Sequence, residues 1–139
     1  MQIVGIDIWE PSLKLAESNV AEEELQHRIT LRRQDVTEVN EIEAFDLAFI
    51  PSMFLPLDLL ARAIARVVEA LVPGGYLILG MFAPGPGPHG AAVRDLLTIR
   101  CGGYPWQPDE IAERLHLEGL KDVEFVDIES TICVMLGRR

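Results

Sequence analysis

Short apolar runs that alternate with helix-forming stretches constrain this chain more than any other feature. Ile3-Val4-Gly5-Ile6-Asp7-Ile8 is rich in β-branched residues, and Glu10-Pro11-Ser12 follows at once, a helix start with Pro at the first helical position. Leu13, Leu15, Ala16 and Val20 then supply part of an apolar helix face. Ile29-Thr30-Leu31-Arg32 reads as a second short strand running to Gln34-Asp35-Val36. Phe45-Asp46-Leu47-Ala48-Phe49-Ile50 is a third, which Pro51 stops. Leu57, Leu60, Ile64, Val67, Val68 and Leu71 recur at helical spacing. Pro73-Gly74-Gly75 is expected to end that helix ahead of a buried fourth strand, Tyr76-Leu77-Ile78-Leu79-Gly80.

The pattern loosens further on. The segment from Ala83 to Gly90 alternates Pro and Gly and predicts a loop or lid. A helix through Val93, Leu96 and Leu97 follows, then a second irregular segment, Cys101-Gly102-Gly103-Tyr104-Pro105-Trp106. A helix from Pro108 over Ile111 and Leu115 ends at Gly119. Val123–Ile128 and Thr131–Leu136 read as two strands of a hairpin joined through Glu129-Ser130. Strand–helix alternation implies parallel βαβ units, so the expected fold class is α/β. The expected architecture is an open, mostly parallel sheet with helices on both faces and a C-terminal antiparallel hairpin. With no repeat or linker, residues 1–139 read as one domain. Open α/β sheets bind ligands at the carboxyl ends of their strands. The residues to interrogate are therefore Asp7, Asp35, Pro51-Ser52 and Met81-Phe82.

Charge narrows the partners. Twenty-two acidic against 12 basic residues give a net charge of −10, and the basic pairs Arg32-Arg33 and Arg138-Arg139 are short and isolated. Nucleic-acid binding needs clustered cations, so a nucleic-acid partner is not expected. The longest uncharged stretch, residues 70–93, is broken by four prolines and six glycines, so no membrane span is expected, and no secretory signal opens the chain. Cys101 and Cys133 lack metal-ligand spacing, and His27, His89 and His116 are scattered. The expectation is a cytoplasmic protein with reduced thiols and no metal.

Four pieces in this order resemble class I S-adenosylmethionine-dependent methyltransferases, which have a Rossmann-like sheet: Val4-Gly5-Ile6-Asp7-Ile8, Gln34-Asp35-Val36, Phe45–Ile50, and Leu71–Leu79 with its Pro-Gly-Gly. The resemblance spans essentially the whole chain. It implies S-adenosyl-L-methionine as cofactor, with Asp7 accepting from the ribose diol, Ile8 against the adenine face, Asp35 accepting from the adenine amino group and Val36 as a second apolar wall. An acid at a strand end is suited to a diol because a carboxylate accepts through both oxygens. Capping the following helix is the other role open to Asp7, and bonding its own backbone in a turn is the other role open to Asp35. Ser52, Phe54 and Trp106 are the candidate substrate contacts, equally suited to turn or core positions; His89 is a candidate base. The segment after the third strand, Pro51-Ser52-Met53-Phe54, lacks the acidic or Asn residue followed by Pro-Pro and an aromatic that marks many nucleobase amino-methyltransferases. A small-molecule acceptor is expected instead.

The departure from the family is as informative as the match. The family's first strand, glycine-rich turn and first helix precede the position that Asp7 occupies, and they have no counterpart here. Gly85, Gly87 and Gly90 follow the fourth strand and do not replace that turn. The chain thus reads as an N-terminally truncated, incomplete domain retaining only the nucleoside half of the cofactor site. The missing strand is central in the family's sheet, so two strand edges are expected to lie unpaired, a liability that a homo-oligomer would close. The alternative function is a non-catalytic methyltransferase-like fragment or assembly module. A nicotinamide-dinucleotide domain also puts an acid after its second strand, but Gln34-Asp35-Val36, the Pro-Gly-Gly segment and the terminal hairpin speak against it.

Overall fold

The computed structural model describes residues 1–83, 85, 87–126 and 131–139, with the side chain at position 88 left out. It divides into two compact units, Met1–Val39 and Asn40–Arg139. In the first, β1 (Ile3–Asp7) and β2 (Ile29–Arg33) pair in parallel, in register from Ile3 opposite Ile29 to Asp7 opposite Arg33. Parallel pairing needs a crossover, and α1 (Glu10–Glu22) provides it. Pro11 and Glu10 lie in its first turn, where a missing N–H costs nothing and a carboxylate meets the positive end of the helix dipole. Ile3, Ile29 and the buried Leu13 face the requirement that such a unit cover its own small sheet.

The second unit is a four-stranded mixed sheet in the order β3 (Phe45–Pro51), β4 (Leu71–Phe82), β6 (Ile132–Arg138), β5 (Lys121–Val126). β3 and β4 are parallel; β6 runs antiparallel to both β4 and β5. This is the expected α/β class with its C-terminal antiparallel hairpin. The residues expected at the hairpin's connection, 127–130, lie outside the described residues, as do 84 and 86 of the Pro/Gly segment. The helices are α2 (Leu57–Ala70), α3 (Gly87–Arg100) and α4 (Pro108–Leu117). Leu60 and Ile64 of α2, Ile111 and Leu115 of α4, and Leu77 and Leu79 of β4 are all essentially buried, and together they form the core of this unit. Side chains alternate across a strand, so the opposite face of the sheet carries Leu47, Phe49 and Tyr76, which are 56%, 60% and 41% exposed.

Three boundaries differ from the sequence expectation. First, α2 ends at Ala70, before Pro73-Gly74-Gly75, and Leu71 is already a fully buried strand residue opposite Phe45. The Pro-Gly-Gly segment lies inside β4, where Gly74 at φ +85° donates its N–H to the Arg139 carbonyl and Gly75 accepts from the Arg139 N–H, both at 2.9 Å. A Cβ at Gly75 would approach the carbonyl oxygens of Val72 and Asp46 to 2.9 and 3.1 Å, so glycine serves the strand and not a helix stop. Second, the Pro/Gly segment is not irregular to its end, because α3 starts at Gly87 and takes in Pro88, His89 and Gly90. Proline in a first helical turn sacrifices no hydrogen bond. Third, β1 closes at Asp7, leaving Ile8 in a bend and 62% exposed.

The expected unpaired edges are present among the described residues. β1 is hydrogen-bonded to β2 alone, and β3 to β4 alone.

Candidate functional site

Each unit carries one group of the candidate residues. In the first unit, Asp7 ends β1 and Asp35 lies two residues beyond the end of β2. The two turns are tied together, since the Gln34 N–H donates to the Asp7 carbonyl at 3.1 Å. The Asp7 Oδ1 accepts the Trp9 N–H at 2.8 Å, which fixes the carboxylate at the strand end. Its Oδ2 makes no hydrogen bond among the described residues. The Asp35 Oδ1 accepts from both the Thr37 N–H and the Thr37 hydroxyl, each at 2.8 Å, and so starts the short 3-10 turn Val36–Glu38. Ile8 offers an exposed apolar surface, while Val36 is half-buried. The four residues thus present acceptor oxygens beside apolar side chains at one end of a parallel strand pair. That acceptor set suits a nucleoside, whose ribose and amino groups donate and whose base is flat and apolar.

In the second unit, Ser52 and Trp106 come together at one cavity, while Phe54 lies apart from it. Ser52, 2% exposed, donates its hydroxyl to the Gly80 carbonyl at 2.8 Å and so ties the turn after β3 to β4. Phe54 is half-exposed and meets Phe82 edge-to-face, ring centres 6.5 Å apart. Tyr104 and Trp106 make a second edge-to-face pair at 5.0 Å. Gly103 allows that segment to approach, because a Cβ there would fall 2.2 Å from the Met53 carbonyl oxygen. The cavity itself is about 20 Å³.

Arg94 and Thr98, not singled out from the sequence, also line this cavity, as does Cys133, read there only as a reduced thiol. The Arg94 side chain is only 10% exposed. Its Nε and Nη2 donate to Asp95 Oδ1 at 2.8 and 2.6 Å, and Nη2 reaches Gln107 Oε1 at 3.2 Å. Thr98 donates its hydroxyl to the Arg94 carbonyl at 2.9 Å. The available sequence signal was the spacing of Arg94 and Thr98, which puts two polar residues on one helix face among apolar neighbours. His89 is exposed and lines a separate open depression of about 440 Å³, which shares Phe82 and Arg94 with the cavity. Among the described residues no three His, Cys, Asp or Glu side chains cluster as metal ligands, and no helix is long and apolar enough to cross a membrane.

A sequence profile of the methyltransferase domain matches residues 1–79. A search of curated proteins finds no match. Among solved structures, a possible exported protein from Bordetella parapertussis aligns at TM-score 0.77 with 24% identity, over 99% of this chain and 53% of its own. An O-methyltransferase family protein from Burkholderia thailandensis aligns at 0.77 with 16% identity, over 99% and 42%. Human N-acetylserotonin methyltransferase, solved in complex with S-adenosylmethionine, aligns at 0.79 with 16% identity, over 99% and 40%. At these identities the likeness is one of fold. The chain spans about half the length, or less, of these structures.

Proposed function

The chain belongs to the methyltransferase-domain family, and from that premise we propose that it serves S-adenosylmethionine-dependent methyl transfer to a small-molecule acceptor. The observation that carries the reading is the pair of strand-end acids. Asp7 closes one of two parallel, adjacent strands and Asp35 stands just past the end of the other, and Asp7 keeps an oxygen without a hydrogen-bond partner among the described residues. Asp7 would hold the ribose diol and Asp35 the adenine amino group, with Ile8 and Val36 against the base.

The bound cofactor supplies an electrophilic methyl group on sulfur. The chain's own residues supply positioning, which by itself accounts for much of the acceleration of a two-substrate reaction. Ser52 and Trp106 line the acceptor side, and Phe54 with Phe82 adds an aromatic wall. These residues fit the nucleoside half of the cofactor; no glycine-rich turn for its methionine half occurs among the described residues of Met1–Val39. The net charge of −10 supports a small molecule over nucleic acid as acceptor, and the two free cysteines fit a reducing, cytoplasmic setting. Self-association through the unpaired strand edges completes the proposal.

Calorimetric titration of the full chain with S-adenosylhomocysteine tests it. Micromolar binding that is lost in Asp7→Ala supports the reading. No binding by a folded chain overturns it in favour of a non-catalytic module.

A further inference from the structure

Trp106 lines the cavity, and its indole N–H is buried and meets no acceptor among the described residues. A buried donor left so is costly, and an oxygen brought in by a ligand relieves that cost. Arg94 adds a second unspent donor. Its Nε and Nη2 both converge on one oxygen of Asp95, and Nη1 has no partner among the described residues. The Ser52 and Thr98 hydroxyls do not compete, because they give their protons to the carbonyls of Gly80 and Arg94. Among the described residues no Asp or Glu lines the cavity. The niche is donor-rich, and its one guanidinium is paired with Asp95 outside the lining.

Size selects the group that enters. About 20 Å³ accommodates one water-sized atom group, hence a single carboxylate oxygen and not a phosphate. With Nε and Nη2 given to Asp95 and Gln107, the Arg94 guanidinium keeps Nη1 for one further acceptor oxygen. Outside the cavity, Phe82 and Arg94 continue into the open depression, whose wall includes Val93 and Leu97. An occupant with its polar tip inward therefore leaves a flat apolar body against Phe82. We infer that the acceptor is an aryl carboxylate whose carboxylate is held by Arg94 and the Trp106 indole N–H, an inference that rests on the methyl-transfer reading above. The carboxylate is the handle and not the attacking group.

The chain has two tryptophans, Trp9 and Trp106, so each indole N–H is a single reporter once Trp9→Phe assigns them. Nitrogen-15-labelled protein is titrated with 2-naphthoate and, as an uncharged match, 2-naphthamide. Naphthoate is expected to move the Trp106 indole resonance saturably and leave that of Trp9 in place. Naphthamide is expected to bind at least tenfold more weakly. Arg94→Gln should weaken naphthoate at least tenfold, with Arg94→Lys recovering part of the loss. An unmoved Trp106 signal, equal binding of acid and amide, or undiminished binding in a folded Arg94→Gln chain overturns the inference. Should Arg94→Gln not fold, the acid-against-amide comparison on the unaltered chain decides. A parallel calorimetric titration with S-adenosylhomocysteine separates the two readings. Naphthoate binding without nucleoside binding supports the anion site and overturns methyl transfer, whereas the reverse overturns only the carboxylate.

Discussion

Asp7 does two things with one side chain. Its Oδ1 anchors the turn by accepting the Trp9 N–H, which aims the carboxylate beyond the strand end. Asp7→Asn keeps an oxygen for that N–H but removes the charge and one acceptor. We expect S-adenosylhomocysteine affinity to fall about tenfold, or about 1.4 kcal/mol, with thermal unfolding little changed. Calorimetry and a melting curve check both halves of that expectation. Gly103 is the opposite kind of residue, defined by what it lacks. A methyl there would collide with the Met53 carbonyl, a backbone atom that cannot rotate away. Gly103→Ala should cost about 1–3 kcal/mol by overpacking and should disturb the cavity that Met53, Tyr104 and Trp106 share. Chemical denaturation measures the first, and the Trp106 indole resonance reports the second. The strand-end acids were legible in the sequence because strand ends are local. Arg94 was not, since its burial depends on Gln107 and Trp106, which come more than ten residues later.

Elements were legible in proportion to how completely they are buried on one side. The period of Leu60, Ile64, Val67 and Val68 matches a helix whose apolar face is covered from its second turn on, Leu57 at its start remaining half-exposed. Ile64→Ala is expected to cost about 2–5 kcal/mol, because Ile64 is fully buried and its loss leaves a cavity. Helix α1 offers the control. Leu13, Leu15, Ala16 and Val20 read as an apolar face, yet only Leu13 is buried and Leu15 is 64% exposed. Leu15→Ala should therefore change stability by no more than about 0.5 kcal/mol. Denaturation midpoints of the two variants, compared at equal slope, test the contrast. Periodicity identified α1 correctly but cannot say how much of a face finds cover. The Pro-Gly-Gly segment misled for a related reason. Its glycines answer to carbonyls of Asp46 and Arg139, far away in the sequence, so a local reading assigned them to the nearest helix end.

Across the whole molecule, what matters is the hydrogen bonding that the strands leave unmade. β1 and β3 each have one paired side and one open side among the described residues, and an exposed backbone edge is a ready-made template for pairing with another chain. β3 adds an apolar incentive: Leu47 and Phe49 project from the uncovered face beside Tyr76, and all three are more than one-third exposed. A chain of net charge −10 repels its copies at long range, so association driven by such an edge should strengthen with salt, opposite to a contact held by ion pairs. Sedimentation of the 15.5 kDa chain is expected to show mass rising with concentration, more so in high salt. Leu47→Lys places a charge on the outward face of the open strand without touching the buried one, and should return the chain towards monomer while leaving its unfolding transition in place. A species that stays monomeric at high concentration in both salts would show that each unit tolerates its open edge alone. The edge of β3 would then be satisfied by solvent, and the exposed Leu47 and Phe49 would have no part in assembly.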